Sequence, residues 1–305
     1  MTVRADRAAA GRLMKRAAAA SVAVAATLII AKVGAWLATD SVAMLSSLLD
    51  SLLDAAASAI NLLAVRHALT PADEEHRFGH GKAEPLAGLA QSAFICGSAL
   101  ILLMEALHRL GTPQPVQRPE IGIAVALFSI ALSAGLVFYQ RRVVARTGSV
   151  AIAADSLHYG SDALLNGAVV AALVVGMFVD APLVDPVFGA GIALWILWGA
   201  IRIARQSFDL LMDRELPIAD RDRILAIARA RPEVLDVHDL RTRSAGTHIF
   251  VQMHIELDPE MRLARAHAVA DAVELDIRAA YPHAEIIIHQ DPAGEMEAHR
   301  AVAVP

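Results

Sequence analysis

Two short stretches place ionisable side chains where everything around them is apolar. In Leu48-Leu49-Asp50-Ser51-Leu52-Leu53-Asp54 the aspartates stand four apart, and in Asp155-Ser156-Leu157-His158-Tyr159-Gly160-Ser161-Asp162 the pair His158 and Asp162 repeats that spacing. Residues four apart share one face of a helix, one turn from each other. Two such pairs on two helices bring three carboxylates and an imidazole together. Four N/O donors of this kind can close a tetrahedral shell around a divalent cation such as Zn²⁺.

The elements that must position these groups are long apolar helices. The chain has 305 residues, 56% of them hydrophobic, against roughly 45–50% in soluble domains. Its mean hydropathy is +0.49. About 20 apolar residues cross a bilayer as a helix, and six segments qualify: 13–38, 41–65, 85–108, 119–140, 149–178 and 183–206. Both pairs then fall near the bilayer middle. An ionised carboxylate there costs at least about 2.5–3.5 kcal/mol, and a bound dication offsets that cost. Pairing with Lys or Arg is one alternative, but the only interior cation is Lys32, expected nearer the outer end. A proton relay without metal is another. Asp155 is expected nearer the cytoplasmic end, as a helix-entry or mouth group. Because metal binds deprotonated ligands, protonation expels it, and a site open alternately to each side would couple metal export to inward proton movement.

Basic residues cluster on one side of the predicted spans: Arg4, Arg7, Arg12, Lys15 and Arg16; Arg66, Arg77 and Lys82; Arg141, Arg142 and Arg146; Arg202, Arg205 and Arg214. The other side offers only Arg109 and Arg118. Both termini are therefore expected in the cytoplasm. The first apolar run is too long for a signal peptide and is expected to be a retained helix. The net charge of -5 gives no hint of nucleic-acid binding. The lone Cys96 excludes a disulfide framework and any CxxC metal site.

After about residue 212 polar residues dominate. The pattern predicts helix (220–231), strand (234–243), strand (247–257), helix (262–281) and strand (284–290). In the second strand Ile249, Val251, Met253, Ile255 and Leu257 alternate with His248, Phe250, Gln252, His254 and Glu256, as in a half-buried strand. An αββαβ order suits a small α+β sheet with helices on one side.

Two further sets have ligand chemistry. Asp73, His76 and His80 lie in a polar loop whose Gly79 and Gly81 allow the backbone to fold round an ion. Taken alone, a solvated loop collects such residues equally well. The tail holds His238, His254, His267, His289 and Asp291. Taken alone, each suits a surface residue better than a ligand. His254, however, lies opposite the apolar face of its strand, and Asp291 lies two beyond His289 on the same side of an extended chain. His67, His108, His248, His283 and His299 match no pattern and are expected to be ordinary surface or interface histidines.

Across about 13–292 the chain resembles the cation diffusion facilitator family, in its bacterial YiiP (FieF) branch of zinc and iron efflux transporters. The resemblance rests on LLDSLLD at 48–54, PADEEHRFGHGKAE at 71–84, ADSLHYGSD at 154–162, VHDLRTR at 237–243 and IIHQDP at 287–292. It implies an α-helical membrane protein of six transmembrane helices with a C-terminal cytoplasmic α+β domain, metallochaperone- or ferredoxin-like. The implied divisions are an N-terminal tail (1–12), a transmembrane domain (13–208), a cytoplasmic metal-binding and dimerisation domain (209–292) and a disordered tail (293–305). It implies a homodimer in the bacterial inner membrane that exports Zn²⁺, or Fe²⁺, Cd²⁺, Mn²⁺ or Co²⁺, in exchange for protons. The transport site would be Asp50, Asp54, His158 and Asp162. Asp73, His76 and His80 would form a second site. His238, His254, His267, His289 and Asp291 would form a regulatory two-metal site at the dimer interface, the aspartate able to bridge. Many eukaryotic zinc members carry His at the position of Asp50, so the extra carboxylate is expected to relax selectivity. Lys82 resembles the family's interlock lysine, with Asp213 or Asp209 as its partner; an interfacial snorkelling lysine is the alternative.

Three other functions compete. An organic-cation transporter would leave the loop and tail ligands without a purpose. A membrane-anchored metal sensor would leave the buried quartet unexplained. An intramembrane metalloenzyme would need HExxH or an open coordination position, and the chain has neither.

Overall fold

The computed structural model describes residues 7–39, 42–111, 120–176 and 184–294. His299, residues 112–119 and 177–183 and most of the expected tail at 293–305 lie outside the described residues. The chain divides into two compact units, one ending at Leu211 and one beginning at Met212.

The first unit is a bundle of six helices: α1 (Arg7–Thr39), α2 (Val42–Ala68), α3 (Ala83–Gly111), α4 (Glu120–Thr147), α5 (Val150–Gly176) and α6 (Val184–Leu211). Segments Ala9–Ala38, Ser47–Ala68, Ala83–His108, Ala124–Thr147 and Val187–Leu211 are long and apolar enough to cross a membrane. Helix α5 carries Asp155, His158 and Asp162 in its first half, yet its 27 residues reach about 40 Å at 1.5 Å per residue. The bundle is a six-helix membrane domain.

Its burial pattern inverts that of a soluble bundle. Ile30, Leu63, Met104 and Trp198 face outward, while Ser21, Ser51, Ser58, Asn61, Ser92, Ser133 and Gln140 are buried. Lipid tails solvate leucine as well as a protein core does, so small and polar residues collect between the helices. Helix α1 packs on α2 and α4, α3 on α6, and α5 on α4 and α6. Gly88 shows how closely they approach, since a Cβ there would lie 2.7 Å from Ser207 Oγ on α6.

The second unit is a small α+β domain: α7 (Ile218–Arg229), β1 (Asp236–Ala245), β2 (His248–Leu257), α8 (Leu263–Ala280) and β3 (Ala284–Pro292). The sheet order is β1-β2-β3. Strand β2 pairs antiparallel with β1 and parallel with β3; the parallel pairing is possible because α8 supplies the crossover. Ile249, Val251, Met253, Ile255 and Leu257 are buried in one core with Ile224, Val269, Val273 and Ile277. Phe250 is buried as well, which the alternation in the sequence does not anticipate; the Arg243 guanidinium covers its ring at 4.5 Å.

Ile255 is fully buried at the centre of this core. Ile255→Ala is expected to destabilise the tail domain by about 2–5 kcal/mol. Hydrogen exchange of β2 amides in the full chain should speed up accordingly, while exchange in α1–α6 stays unchanged.

Candidate metal centres

The first centre lies between α2 and α5. Asp54 and Asp162 sit near the middles of their helices, and His158 stands one turn before Asp162. His158 Nε2 is 3.0 Å from Asp54 Oδ1 and 3.8 Å from Asp162 Oδ2. One donor atom from each of the three lies within 4.8 Å of the others. Zn–N and Zn–O bonds of about 2.0–2.2 Å separate tetrahedral ligand atoms by about 3.3–3.6 Å, so the donor chemistry and spacing fit a dication. The His158 side chain is buried, packed between the rings of Phe94 at 6.2 Å and Tyr159 at 5.5 Å. Asp50 is not one of the three, but it lines the same cavity, which also borders Asp54, His158 and Asp162 and measures about 410 Å³.

Lys32 is closer to this centre than its place in the sequence suggests. Its Nζ donates to Ser51 Oγ at 2.6 Å and Ser47 O at 3.0 Å. It shares a small cavity with Asp54, Asp162, Tyr159 and Asn166. A lysine can turn its ammonium inward here because two α2 oxygens receive it.

Asp155 is not a mouth group. It is fully buried. Its carboxylate accepts from Ser21 Oγ on α1, from Gln140 Nε2 on α4 at 2.6 Å and from Gln91 Nε2 on α3 at 3.3 Å. Donors from three other helices replace the water this carboxylate would otherwise need. The carboxylate thereby ties α5 to α1, α3 and α4 directly below His158.

The second centre is the loop between α2 and α3. Asp73 Oδ1 lies 3.3 Å from His76 Nδ1, and Asp73 Oδ2 lies 3.3 Å from His80 Nε2. The loop is built to hold this carboxylate: Asp73 Oδ1 accepts the backbone N–H of His76 at 2.6 Å and of Glu75 at 3.1 Å. The His76 N–H holds the Asp73 carboxyl below the usual carboxylate range. Gly79, at φ +77°, makes the turn that brings His80 back. Lys82, farther along, donates its Nζ to Leu211 O at 3.3 Å.

The third centre is made by strand register. His238 pairs across the sheet with His254, and His254 with His289. Three imidazoles therefore stand abreast on one face, with ring centroids 5.3 and 4.7 Å apart, close to the interstrand spacing of about 4.8 Å. Asp291, two beyond His289, reaches all three. Its Oδ2 is 2.9 Å from His254 Nδ1 and 3.3 Å from His238 Nε2, and its Oδ1 is 2.9 Å from His289 Nε2. Each carboxylate oxygen thus serves different histidines, which is the arrangement a bridge between two cations needs. Glu256, which the motifs do not single out, joins from the side with Oε1 3.6 Å from His238 Nδ1. It stands opposite Asp291 in the register, a placement visible only once the strands are paired. His267 is not drawn in: it is exposed on α8 with Nε2 3.5 Å from Asp271.

Comparison with known proteins bears on the whole chain. Residues 18–212 match the family described as the cation efflux transmembrane domain. Residues 216–293 match the cation efflux protein cytoplasmic domain. A relative from Cronobacter sakazakii, the cation-efflux pump FieF, is 47% identical over 282 residues, covering 92% of this chain and 94% of the relative. The protein of that name from Shewanella oneidensis is 48% identical over 279 residues, covering 92% and 94%. A solved structure described as a putative zinc transporter CzrB in its zinc form is 34% identical, covering 28% of this chain and 98% of that one, with a TM-score of 0.25.

Asp291 touches all three tail histidines, so its loss should cost more than one ligand. Asp291→Ala is expected to lower the number of Zn²⁺ ions bound per chain by more than His267→Ala does. Equilibrium dialysis with metal analysis of the full-length protein checks this.

Proposed function

The chain belongs to the cation efflux family, and from that premise we propose that it is a proton-coupled antiporter exporting divalent transition-metal ions, Zn²⁺ foremost, from the cytoplasm. The family makes it a multi-pass membrane transporter rather than an enzyme. One observation supports the finer reading most: Asp54, His158 and Asp162 bring three donor atoms within 4.8 Å of one another inside a membrane bundle. Asp50, one turn away on α2 and lining the same cavity, supplies the fourth ligand after a side-chain rotation. Closed N/O coordination with no position left for a reactive water suits binding and release rather than hydrolysis.

Coupling follows from competition at the same atoms. A dication binds the imidazole only when it is neutral and the carboxylates only when they are ionised. Protons arriving from outside therefore displace the metal there, and metal arriving from the cytoplasm displaces protons. In this reading the protein works as a homodimer in the inner membrane, with both termini in the cytoplasm. The tail and loop centres bind the same class of ion and sense its cytoplasmic level. The relatives are named cation-efflux pumps, which agrees with this substrate class. Fe²⁺, Cd²⁺, Mn²⁺ and Co²⁺ share enough ligand chemistry to compete.

In proteoliposomes, ⁶⁵Zn²⁺ flux is expected to rise with an opposing pH gradient and to fall at least about tenfold in Asp54→Ala, the scale of a lost ligand interaction of about 1.4 kcal/mol or more. Undiminished flux in that variant, or flux indifferent to the gradient, contradicts the reading. Asp50→His removes a hard oxygen donor and should narrow transport toward Zn²⁺, lowering Mn²⁺ and Fe²⁺ flux relative to Zn²⁺ in the same assay.

A further inference from the structure

We propose that His67 is the fourth ligand of the loop metal centre, an inference that rests on reading Asp73, His76 and His80 as a metal site. Those three supply three donors, and a structural zinc shell needs four. His67 stands in the last turn of α2, outside every motif that points to metal. Its ring centroid lies 4.5 Å from that of His80, at an interplanar angle of 62°. On the other side, His76 stands 4.6 Å from His80. His80 is therefore held between two imidazoles. Two imidazoles on one tetrahedral zinc, with Zn–N of about 2.0–2.1 Å, have centroids about 5 Å apart. The pairs in the tail centre stand 5.3 and 4.7 Å apart; His67–His80, at 4.5 Å, is slightly closer than either.

A second observation points the same way. The His80 side chain is only 6% exposed, and its buried Nδ1 has no hydrogen-bond partner among the described residues. An imidazole buried beside another, with one ring nitrogen unserved, is costly in a loop that only needs to turn. It is expected where an ion organises the rings. His67 itself is exposed and is not among the three residues whose donor atoms lie within 4.8 Å, so ligation requires its side chain to swing inward. The His67 carbonyl accepts from Thr70 N at 3.0 Å and Thr70 Oγ1 at 2.6 Å, which fixes the backbone from which that side chain swings.

The consequence concerns α2. With His67 bound, the loop ion fastens the end of the helix that carries Asp50 and Asp54 to the loop that follows it. The ion then acts on the helix of the transport site without entering that site.

The test uses the full-length protein in detergent, titrated with Co²⁺ and followed by ligand-field absorption. The signal lost in Asp73→Ala defines the loop centre. His67→Ala is expected to weaken that component about tenfold or more, since even groups that only orient a ligand cost 10–100-fold. His67→Phe keeps a ring against His80 but offers no donor, and should fail as His67→Ala does. Unchanged loop affinity in His67→Ala overturns the proposal. So does wild-type affinity in His67→Phe, which would make His67 a packing residue. If Asp73→Ala removes no Co²⁺ signal, the loop reading itself fails, and this inference fails with it.

Discussion

Helix α5 presses His158 Nε2 against the Asp54 carboxylate of α2 at 3.0 Å, in the middle of a membrane bundle. Three carboxylates and an imidazole line or form this one place. Charge this deep costs several kcal/mol unless compensated, and one imidazole is set against three carboxylates. Everything around the cluster bears on that cost. Serines and an asparagine are buried between helices, Lys32 shares a cavity with two of the aspartates, and Asp155 one turn away is held by three neutral donors. In the proposed cycle the carboxylate and imidazole that hold one another part for a dication and pair again when it leaves.

The three centres each set imidazole against carboxylate, through three kinds of local structure. Helical spacing stacks His158 over Asp162. A glycine turn and two backbone N–H groups present Asp73 to His76 and His80. Strand register lines up His238, His254 and His289 above Asp291. They differ in access. The Asp73 side chain is 53% exposed and that of Asp291 6%, so the loop carboxylate meets solvent while the tail aspartate is shielded by its own histidines. Exposed carboxylates exchange water and ions readily; a shielded bridge holds its ions longer.

The fold and the central site were largely legible in the sequence because helix periodicity is local. Asp50/Asp54 and His158/Asp162 can be seen at four-residue spacing without knowing what packs on them. The alternation of β2 marks its core face for the same reason. What stayed hidden depends on partners far along the chain. Asp155 reads as a mouth residue because Ser21, Gln91 and Gln140 come from three other helices. Lys32 reads as peripheral because only packing brings Ser47 and Ser51 to it. The histidine row needs β1, β2 and β3 in one particular register, and a slip of a single residue would scatter it to both faces. Glu256 and His67 belong to the same class: unremarkable in the chain, placed beside ligands by the fold.

Zinc-edge anomalous diffraction from crystals of the zinc-loaded protein tests the central claim most directly. The account predicts a peak between α2 and α5, about 2.0–2.2 Å from a carboxylate oxygen of Asp54, a carboxylate oxygen of Asp162 and His158 Nε2, with Asp50 turned to complete the shell. Strong peaks at the loop and tail with nothing between α2 and α5, while the protein transports zinc, would contradict it.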